Sequence, residues 1–372
     1  MKVLFFVSSM HAGGAERVAA TLANAWTRRG DSVALVPTYT GKGSCFYPLS
    51  SDVGLIWLAD RFRAGNAVTT PWRKLRAIRQ LVRERQPDVI VSFLTNVNVM
   101  VLLACRGMGV PVVACERTNP AVSVAAGKGL QLLRRWTYPW ANTIAVQAQA
   151  SVEPFRNMVP GIRRLAVLPN PLPPELSDRP PPDIDQAPAR RRLIAMGRLV
   201  PIKQFDMLLR VFGGLVPAFP DWDLHVWGDG PMRESLQRQV ERLGLQGRVR
   251  LPGRTDRAWD ELESADLFVS TSRVEGFPNV LLEAMACGLP CVSVDCPSGP
   301  REISRDGRDA RLVPLDDEPA LARALAELMG DAAARAELGR QARQSVRERY
   351  SLEQVLEQWD DVIGRARSGA SS

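Results

Sequence analysis

Short runs rich in β-branched residues alternate with amphipathic stretches along the whole chain. One proline-rich segment near the middle interrupts the alternation, which then begins again. This pattern constrains the fold more than any single motif does, because strand, helix and strand in repeated succession favour a mostly parallel sheet with helices on both faces. In the first half the strand-like runs are Val3–Val7, Val33–Pro37, Leu55–Leu58, Val89–Phe93, Val110–Ala114, Thr143–Val146 and Leu165–Leu168. Helical spacing covers Glu16–Arg28, Trp72–Arg85, Val97–Arg106 and Leu130–Tyr138. Asn170-Pro171-Leu172-Pro173-Pro174 and Arg179-Pro180-Pro181-Pro182 break every periodicity, so residues 171–190 read as a linker. Strand-like runs resume at Leu193–Met196, Leu224–Trp227, Val249–Leu251, Leu267–Ser270 and Cys291–Val294. The expected fold class is α/β, with two Rossmann-like, doubly wound domains (1–170 and 191–350) facing a central cleft. The stretch Ala332–Gly364 is helical, with a break at Tyr350-Ser351 where Ser351 suits an N-cap and Gln354 follows three residues on. Leu352, Val355, Leu356, Trp359 and Val362 form one stripe of that last helix, and residues 351–366 are expected to complete the first domain.

A chain of 372 residues suits two domains with ordinary cores. Two histidines, His11 and His225, give a metal cluster or a Ser-His-Asp triad little material. The six cysteines show no paired C-x-x-C spacing, which argues against zinc ribbons and redox motifs. Most lie in apolar runs such as Val112-Val113-Ala114-Cys115, where a free buried thiol in a reducing compartment is expected. The apolar start Met1–Val7 is too short for a signal peptide, and no run of about 20 apolar residues would span a bilayer. A cytoplasmic protein is the resulting expectation.

The net charge of +8 is unevenly spread. Residues 1–180 hold 22 Lys and Arg against 10 Asp and Glu, a net of +12, whereas the remainder holds 26 against 30, a net of −4. One domain is therefore suited to an anionic partner: nucleic acid, an acidic membrane surface or a phosphorylated substrate.

The segment Ala265–Asp295 reads as strand, loop, helix, stop and strand. Pro278 suits the first helical turn, and Gly288 followed by Pro290 ends the helix at Cys287. Glu275 falls in the loop and Glu283 inside the helix, eight residues apart and on roughly the same side. Between them the amides of Gly276, Phe277, Pro278 (carbonyl only), Asn279 and Val280 open toward the C-terminal edge of the sheet, where doubly wound folds bind ligands. A helix N-terminus there attracts a diphosphate, and flanking carboxylates accept hydrogen bonds from sugar hydroxyls.

Glu275-Gly-Phe-Pro-Asn-Val-Leu-Leu-Glu283-Ala-Met-Ala-Cys-Gly-Leu-Pro resembles the E-x7-E motif of the family 4 glycosyltransferases, which have the GT-B fold. Gly13-Gly14-Ala15-Glu16-Arg17, Gly197-Arg198-Leu199 with Lys203, Gly228-Asp229-Gly230-Pro231 and Leu251-Pro252-Gly253 agree in order, so the resemblance covers nearly the whole chain. It implies a retaining hexosyltransferase using a nucleotide-sugar donor. Arg198 and Lys203 would grip the donor diphosphate, a task that an always-charged fork and a point charge perform well. Glu283 would hold the ribose, Glu275 the transferred sugar, Gly13 and Gly14 the close approach to the phosphate, and Leu251 and Pro252 the base. Many members carry His after the strand ending at Ala114, where this chain has Cys115-Glu116-Arg117-Thr118-Asn119-Pro120. That variant resembles a subgroup extending bacterial surface or lipid-linked glycans, and it makes Glu116 or Arg117 a group that orients donor or acceptor. The segment beginning Asp295-Cys-Pro-Ser-Gly-Pro also resembles that subgroup, which leans toward UDP-sugars. No cofactor is implied besides the nucleotide-sugar substrate.

Asp221-Trp222-Asp223 and Asp183-Ile184-Asp185 match the D-x-D text of metal-dependent transferases, but one precedes a strand and the other lies in the linker. No metal is expected. Trp72–Arg85 and Lys128–Trp140 place basic residues beside tryptophans, which suits peripheral attachment to an anionic membrane and a polyprenyl-diphosphate-linked acceptor. A soluble acceptor, as in sugar-phosphate synthases, and a nucleotide-sugar 2-epimerase remain enzyme alternatives. A basic membrane- or nucleic-acid-binding protein is the non-enzyme alternative. No nucleic-acid motif or aromatic platform supports the nucleic-acid form.

Overall fold

The structure is a computed structural model, and it describes residues 1–39, 45–66, 69–117, 127–177, 179 and 190–369. The chain divides into two compact units, Met1–Pro171 with Val355–Ser372, and Leu172–Gln354.

The first unit is built on seven parallel strands: β1 (Lys2–Val7), β2 (Ser32–Pro37), β3 (Gly54–Leu55), β4 (Val89–Phe93), β5 (Val112–Cys115), β6 (Thr143–Val146) and β7 (Leu165–Val167). Their order is β3-β2-β1-β4-β5-β6-β7, so the winding reverses between β1 and β4. The helices are α1 (Gly14–Arg28), α2 (Thr69–Arg85), α3 (Thr95–Cys105), α4 (Lys128–Thr137) and α5 (Val152–Met158). Of the run expected as a strand over Leu55–Leu58 only Leu55 is paired, beside Gly54, because Leu58 opens a 3-10 turn through Arg61. Central strands are buried on both faces, which is why they read as continuous apolar runs. One face carries Ile90, Ala114 and Ile144 against Ile78, Leu81 and Val101 of α2 and α3. On the other, Phe5 stacks edge-on to Phe93 at 4.7 Å, and Trp26 meets Trp359 at 5.4 Å.

Trp359 comes from the last helix, α14 (Leu352–Ser368), whose turns from Val355 onward belong to the first unit. The Gln354 N–H donates to Ser351 Oγ at 3.3 Å, the N-cap bond that the sequence pattern anticipates. All five residues of the expected stripe are buried. Truncating a buried tryptophan of this kind costs roughly 3–5 kcal/mol.

The second unit contains β8 (Arg191–Met196), β9 (Trp222–Trp227), β10 (Val249–Gly253), β11 (Leu267–Ser270), β12 (Cys291–Val294) and β13 (Arg311–Val313), in the parallel order β10-β9-β8-β11-β12-β13. The sequence pattern anticipates all but β13. The connecting helices are α6 (Pro174–Ser177), α7 (Phe205–Leu215), α8 (Arg233–Arg242), α9 (Ala258–Glu263), α10 (Asn279–Ala286), α11 (Pro300–Ile303), α12 (Glu318–Gly330) and α13 (Ala332–Tyr350). α6 is a turn of helix inside the stretch expected as linker; most of that stretch lies outside the described residues, Asp183-Ile184-Asp185 included. One face of the sheet packs Leu193 and Ala195 against α7, α8 and α12, and the other packs Ile194 and Phe268 against α10 and α13. The winding reverses between β8 and β11, and this switch point is where a doubly wound sheet leaves a crevice beyond its strand ends.

Candidate functional site

In the second unit, the loops that leave β8, β9, β10 and β11 are tied into one rim. Gly197 N–H donates to the Trp227 carbonyl (3.0 Å), Leu199 N–H to the Asp229 carbonyl (3.0 Å), and Gly228 N–H to the Gly253 carbonyl (2.7 Å). The approach is so close that a Cβ on Gly228 would lie 1.8 Å from the Gly197 oxygen, and one on Gly230 2.6 Å from the Leu199 oxygen. Both glycines have positive φ, at 136° and 157°. The three glycine-bearing motifs, separated by about thirty residues each in sequence, are thus parts of one backbone contact.

The switch-point loops carry the charged groups. Arg198 stands one residue beyond Gly197, which follows β8, and is exposed, with no ion pair among the described residues. Lys203 ends a 3-10 turn over Pro201–Lys203, and its Nζ pairs with Glu275 Oε1 at 2.5 Å. Two further bonds hold the loop after β11 against that turn: Thr271 Oγ1 donates to the Lys203 carbonyl (2.7 Å), and Arg273 N–H to the Ile202 carbonyl (2.8 Å). Ser298 Oγ donates to the Glu275 carbonyl at 2.8 Å, which braces the same loop from β12's side. Gly299, at φ 97°, lies so near Pro278 that a Cβ would sit 2.4 Å from its Cδ.

Glu283 behaves differently from Glu275. It is 3% exposed on α10, and Trp259 Nε1 donates to its Oε2 at 3.1 Å from α9. Pro278 is the N-cap of α10 and not part of its first turn, and it supplies no side-chain cap. Phe277 is buried against Tyr350, with ring centroids 5.6 Å apart, so it offers the site its backbone and not its ring. Gly276, Asn279 and Val280 are partly exposed around that helix start. Leu251 and Pro252 line a depression of about 480 Å³ together with His225, Trp227, Arg250 and others. Burial and the nearby Arg192 and Arg250 push the His225 imidazole down to about 4, so it is neutral at physiological pH.

The remaining expected residues belong to the first unit. Gly13 caps α1 with an extended backbone (φ −172°), which any residue adopts; its value is room, since a Cβ would meet Glu16 Oε2 at 2.2 Å. Gly14 opens the helix. Glu116 and Arg117 follow β5, and strand alternation sends them to opposite faces. Glu116 is 1% exposed, accepts from Thr95 Oγ1 at 2.8–2.9 Å, and accepts a short bond from the Tyr138 hydroxyl. Asn98 Nδ2 extends this network to Tyr138 Oη at 3.0 Å and to the Cys115 carbonyl at 2.9 Å. Burial pushes the Glu116 carboxyl up, although both hydroxyl donors oppose that shift. Arg117 instead lies over the Phe93 ring at 3.8 Å, 8% exposed, with Nε and one Nη lacking partners among the described residues. Burial pushes its guanidinium down to about 10. Of the pair, Glu116 is engaged inside the fold and Arg117 is the group with donors to offer. Thr118, Asn119 and Pro120 lie outside the described residues.

Two readings of the surface change. Arg134 is 3% exposed and lies over the Phe155 ring at 5.8 Å, so it does not belong to an outward patch, whereas the half-buried Trp140 packs between Arg106 at 3.7 Å and the exposed Trp136 at 5.1 Å. What α4 does expose is Leu132 (70%), Leu133 (40%) and Trp136 (63%), flanked by Lys128 and Arg135. Asp223 of the D-x-D text is held by Arg190 and Arg248 at 2.7 and 3.0 Å. Sequence alone gave no sign of Trp259 or Ser298 as partners of the two glutamates. Among the described residues, no helix is long and apolar enough to cross a membrane.

Comparison with known proteins gives a consistent result. The family profile described as "Glycosyl transferase 4-like domain" matches residues 13–171, and "Glycosyl transferases group 1" matches residues 190–331. An α-1,4-N-acetyl-D-galactosaminyltransferase of Campylobacter jejuni, named for a diNAcBac-PP-undecaprenol-linked acceptor, is 28% identical over 99% of both chains. The amylovoran biosynthesis glycosyltransferase AmsD of Erwinia amylovora is 23% identical over 97% of this chain and 99% of its own. Among solved structures, HepE of Anabaena in complex with UDP aligns over 98% of this chain and 100% of its own, with a TM-score of 0.81 at 19% identity. The sucrose-phosphate synthase of Thermosynechococcus elongatus covers 100% of both chains, with a TM-score of 0.83 at 18% identity.

Proposed function

The chain belongs to the family 4 glycosyltransferases of GT-B fold, and from that premise we propose that it transfers a hexose or N-acetylhexosamine, with retention, from a UDP-sugar to a membrane-borne, polyprenyl-diphosphate-linked glycan. The observation that carries the proposal is the switch-point rim of the second unit. There Arg198, exposed and without an ion pair among the described residues, and the Lys203–Glu275 pair lie on the loops that follow β8 and β11, and the buried Glu283 lies on α10, which continues the second of them.

In this reading the diphosphate lies against Arg198, Lys203 and the first amides of α10, where positive charge meets the negative charge that grows as the glycosidic bond breaks. Glu283, oriented by Trp259, accepts from the ribose hydroxyls. Glu275 takes hydroxyls of the transferred sugar, and the Leu251–Pro252 depression takes the base. Within the first unit, Arg117 offers its N–H donors to the acceptor. No side chain is assigned as a nucleophile: the departing phosphate accepts the acceptor's proton on the same face, and the protein contributes position and charge. No metal is required by this scheme.

UDP is favoured because HepE was solved with it. The lipid-linked acceptor is favoured by the C. jejuni relative. It is also favoured by the apolar, lysine- and arginine-flanked face of α4, which suits peripheral attachment to an anionic bilayer. The test is transfer from a panel of UDP-sugars to a short glycan on polyprenyl diphosphate, with the product's anomeric configuration read by NMR. Retained configuration on the lipid-linked product is expected. Transfer to a soluble sugar phosphate alone would overturn the acceptor assignment, and inversion would overturn the mechanism.

A further inference from the structure

The first sheet ends in an open edge that the proposed reaction does not use. Ile144 N–H donates to the Arg164 carbonyl and Leu168 N–H to the Val146 carbonyl, so Arg164, Ala166 and Leu168 turn their backbone toward β6. Leu165 and Val167 therefore turn theirs outward, as an unpaired edge strand does. Along this edge runs a cavity of about 590 Å³, closed on its other side by α14. The lining takes in the whole of β7 (Leu165, Ala166 and Val167) and Thr143, the first residue of β6, so the cavity follows the β7 edge of the sheet. Gly13 and Arg117, by contrast, follow the C-terminal ends of β1 and β5.

Its chemistry is lopsided. Arg156, Arg163, Arg164 and Arg365 face a single carboxylate, Asp361. Arg365 is paired with Asp361 at 2.9 Å, and Arg164 donates to the Arg365 carbonyl at the end of α14. Arg156 and Arg163 are exposed and make no ion pair among the described residues. Between them the wall is apolar, formed by Val167 of β7 and Val362 of α14. Thr143 sits at the base, 3% exposed, with a hydroxyl that lacks a partner among the described residues. Unpaired guanidiniums around an apolar wall and an idle hydroxyl match a ligand with an oxyanion at one end and an apolar or ring-shaped body at the other.

We propose that this groove is a second anion site, separate from the nucleotide-sugar rim, which takes a phosphate-bearing ligand. Arg156 and Arg163 bind its phosphate oxygens, while its body lies along Val167 and Val362. The phosphate is either that of a free phosphorylated metabolite or that of an anionic lipid headgroup. Either source ties β7 to α14, the helix that closes the first unit.

The test uses the full chain carrying Arg198→Ala and Lys203→Ala, which removes the proposed diphosphate contacts of the second unit. Pyrophosphate is titrated by calorimetry, and in parallel the protein is floated with phosphatidylcholine vesicles with and without phosphatidylglycerol. Adding Arg156→Ala and Arg163→Ala is expected to weaken one of the two about tenfold or more, the loss of at least one charge-assisted hydrogen bond. Loss of pyrophosphate binding identifies a free phosphate as the ligand, and loss of flotation alone identifies a headgroup. Both substituted side chains are exposed, so the melting temperature without ligand should be unchanged. Lysine at both positions should restore part of the binding. Absence of both kinds of binding, or binding that Arg156→Ala with Arg163→Ala leaves unchanged, overturns the proposal without touching the reaction assigned to the other unit.

Discussion

Replacing Glu275 with glutamine should tighten the binding of UDP while slowing transfer. Without a ligand, Lys203 Nζ is already bonded to Glu275 at 2.5 Å, with the two side chains 21% and 15% exposed. Any diphosphate that recruits Lys203 must compete with that carboxylate. An exposed pair contributes roughly 0–1 kcal/mol, whereas removing one partner of a fully buried pair costs about 3–5 kcal/mol. At this intermediate exposure, about 1–2 kcal/mol of competition is released by the neutral amide. At 1.4 kcal/mol per factor of ten, UDP affinity should rise roughly 5- to 30-fold. Turnover should fall by about 100-fold, because glutamine holds the transferred sugar with neutral hydrogen bonds only. Calorimetric titration with UDP, without metal and at two salt concentrations, reads the first effect, and initial rates with the UDP-sugar read the second. Lys203→Met should weaken UDP in the same assay. An affinity for UDP that Glu275→Gln leaves unchanged or lowers would refute the competition, and with it the role given to Lys203.

Three further outcomes test other parts of the site. Trp259→Phe keeps a ring of similar shape but removes the indole donor of the buried Glu283; UDP affinity should drop about tenfold by calorimetry, and the free protein should lose about 1–3 kcal/mol of stability in urea melts. Gly228→Ala would drive a Cβ into the Gly197 carbonyl from a positive-φ backbone, costing about 3–5 kcal/mol in chemical denaturation and displacing the loop that carries Arg198. His225 is neutral in the fold down to about pH 4, whereas in the unfolded chain it titrates near the ordinary imidazole value of 6.5. The unfolded state thus binds the extra proton first, so stability is full above pH 6.5 and falls as pH drops toward 4. His225→Gln should remove up to about 3 kcal/mol of that slope, read from urea melts across the range.

Much of the architecture is legible because a buried parallel strand cannot hide its composition: Val89–Phe93 and Cys291–Val294 are apolar but for one buried serine each, and the sequence runs coincide with the strands. β13 escapes the same reading because Arg311-Leu312-Val313 is short, lies at the sheet edge and begins with a charge. The two carboxylates of the E-x7-E pattern are visible in sequence, but their different settings are not. Lys203 lies 72 residues before Glu275, and Trp259 lies 24 residues before Glu283. The need for glycine at 228 comes from a contact with another loop, which no local rule contains. Glu116 and Arg117 stand side by side in the chain as two equally eligible groups of opposite charge, and only their alternation after β5 separates a buried acceptor from a donor with no partner among the described residues. Arg134 misleads in the opposite direction, since it is buried and its charge lies over an aromatic ring, so the basic stretch Lys128–Trp140 presents fewer charges than its sequence implies.

The central claim is that the second unit holds a nucleotide-sugar donor site built on Glu275, Glu283, Arg198 and Lys203. The most direct measurement is a calorimetric and thermal-shift panel of UDP, GDP, ADP and their sugar conjugates, with and without magnesium, on the full chain and on Glu283→Ala. The account predicts that UDP and a UDP-sugar bind without metal, raise the melting temperature, and lose affinity in Glu283→Ala. Failure of every nucleotide to bind under either condition, or equal binding by the variant, would contradict it.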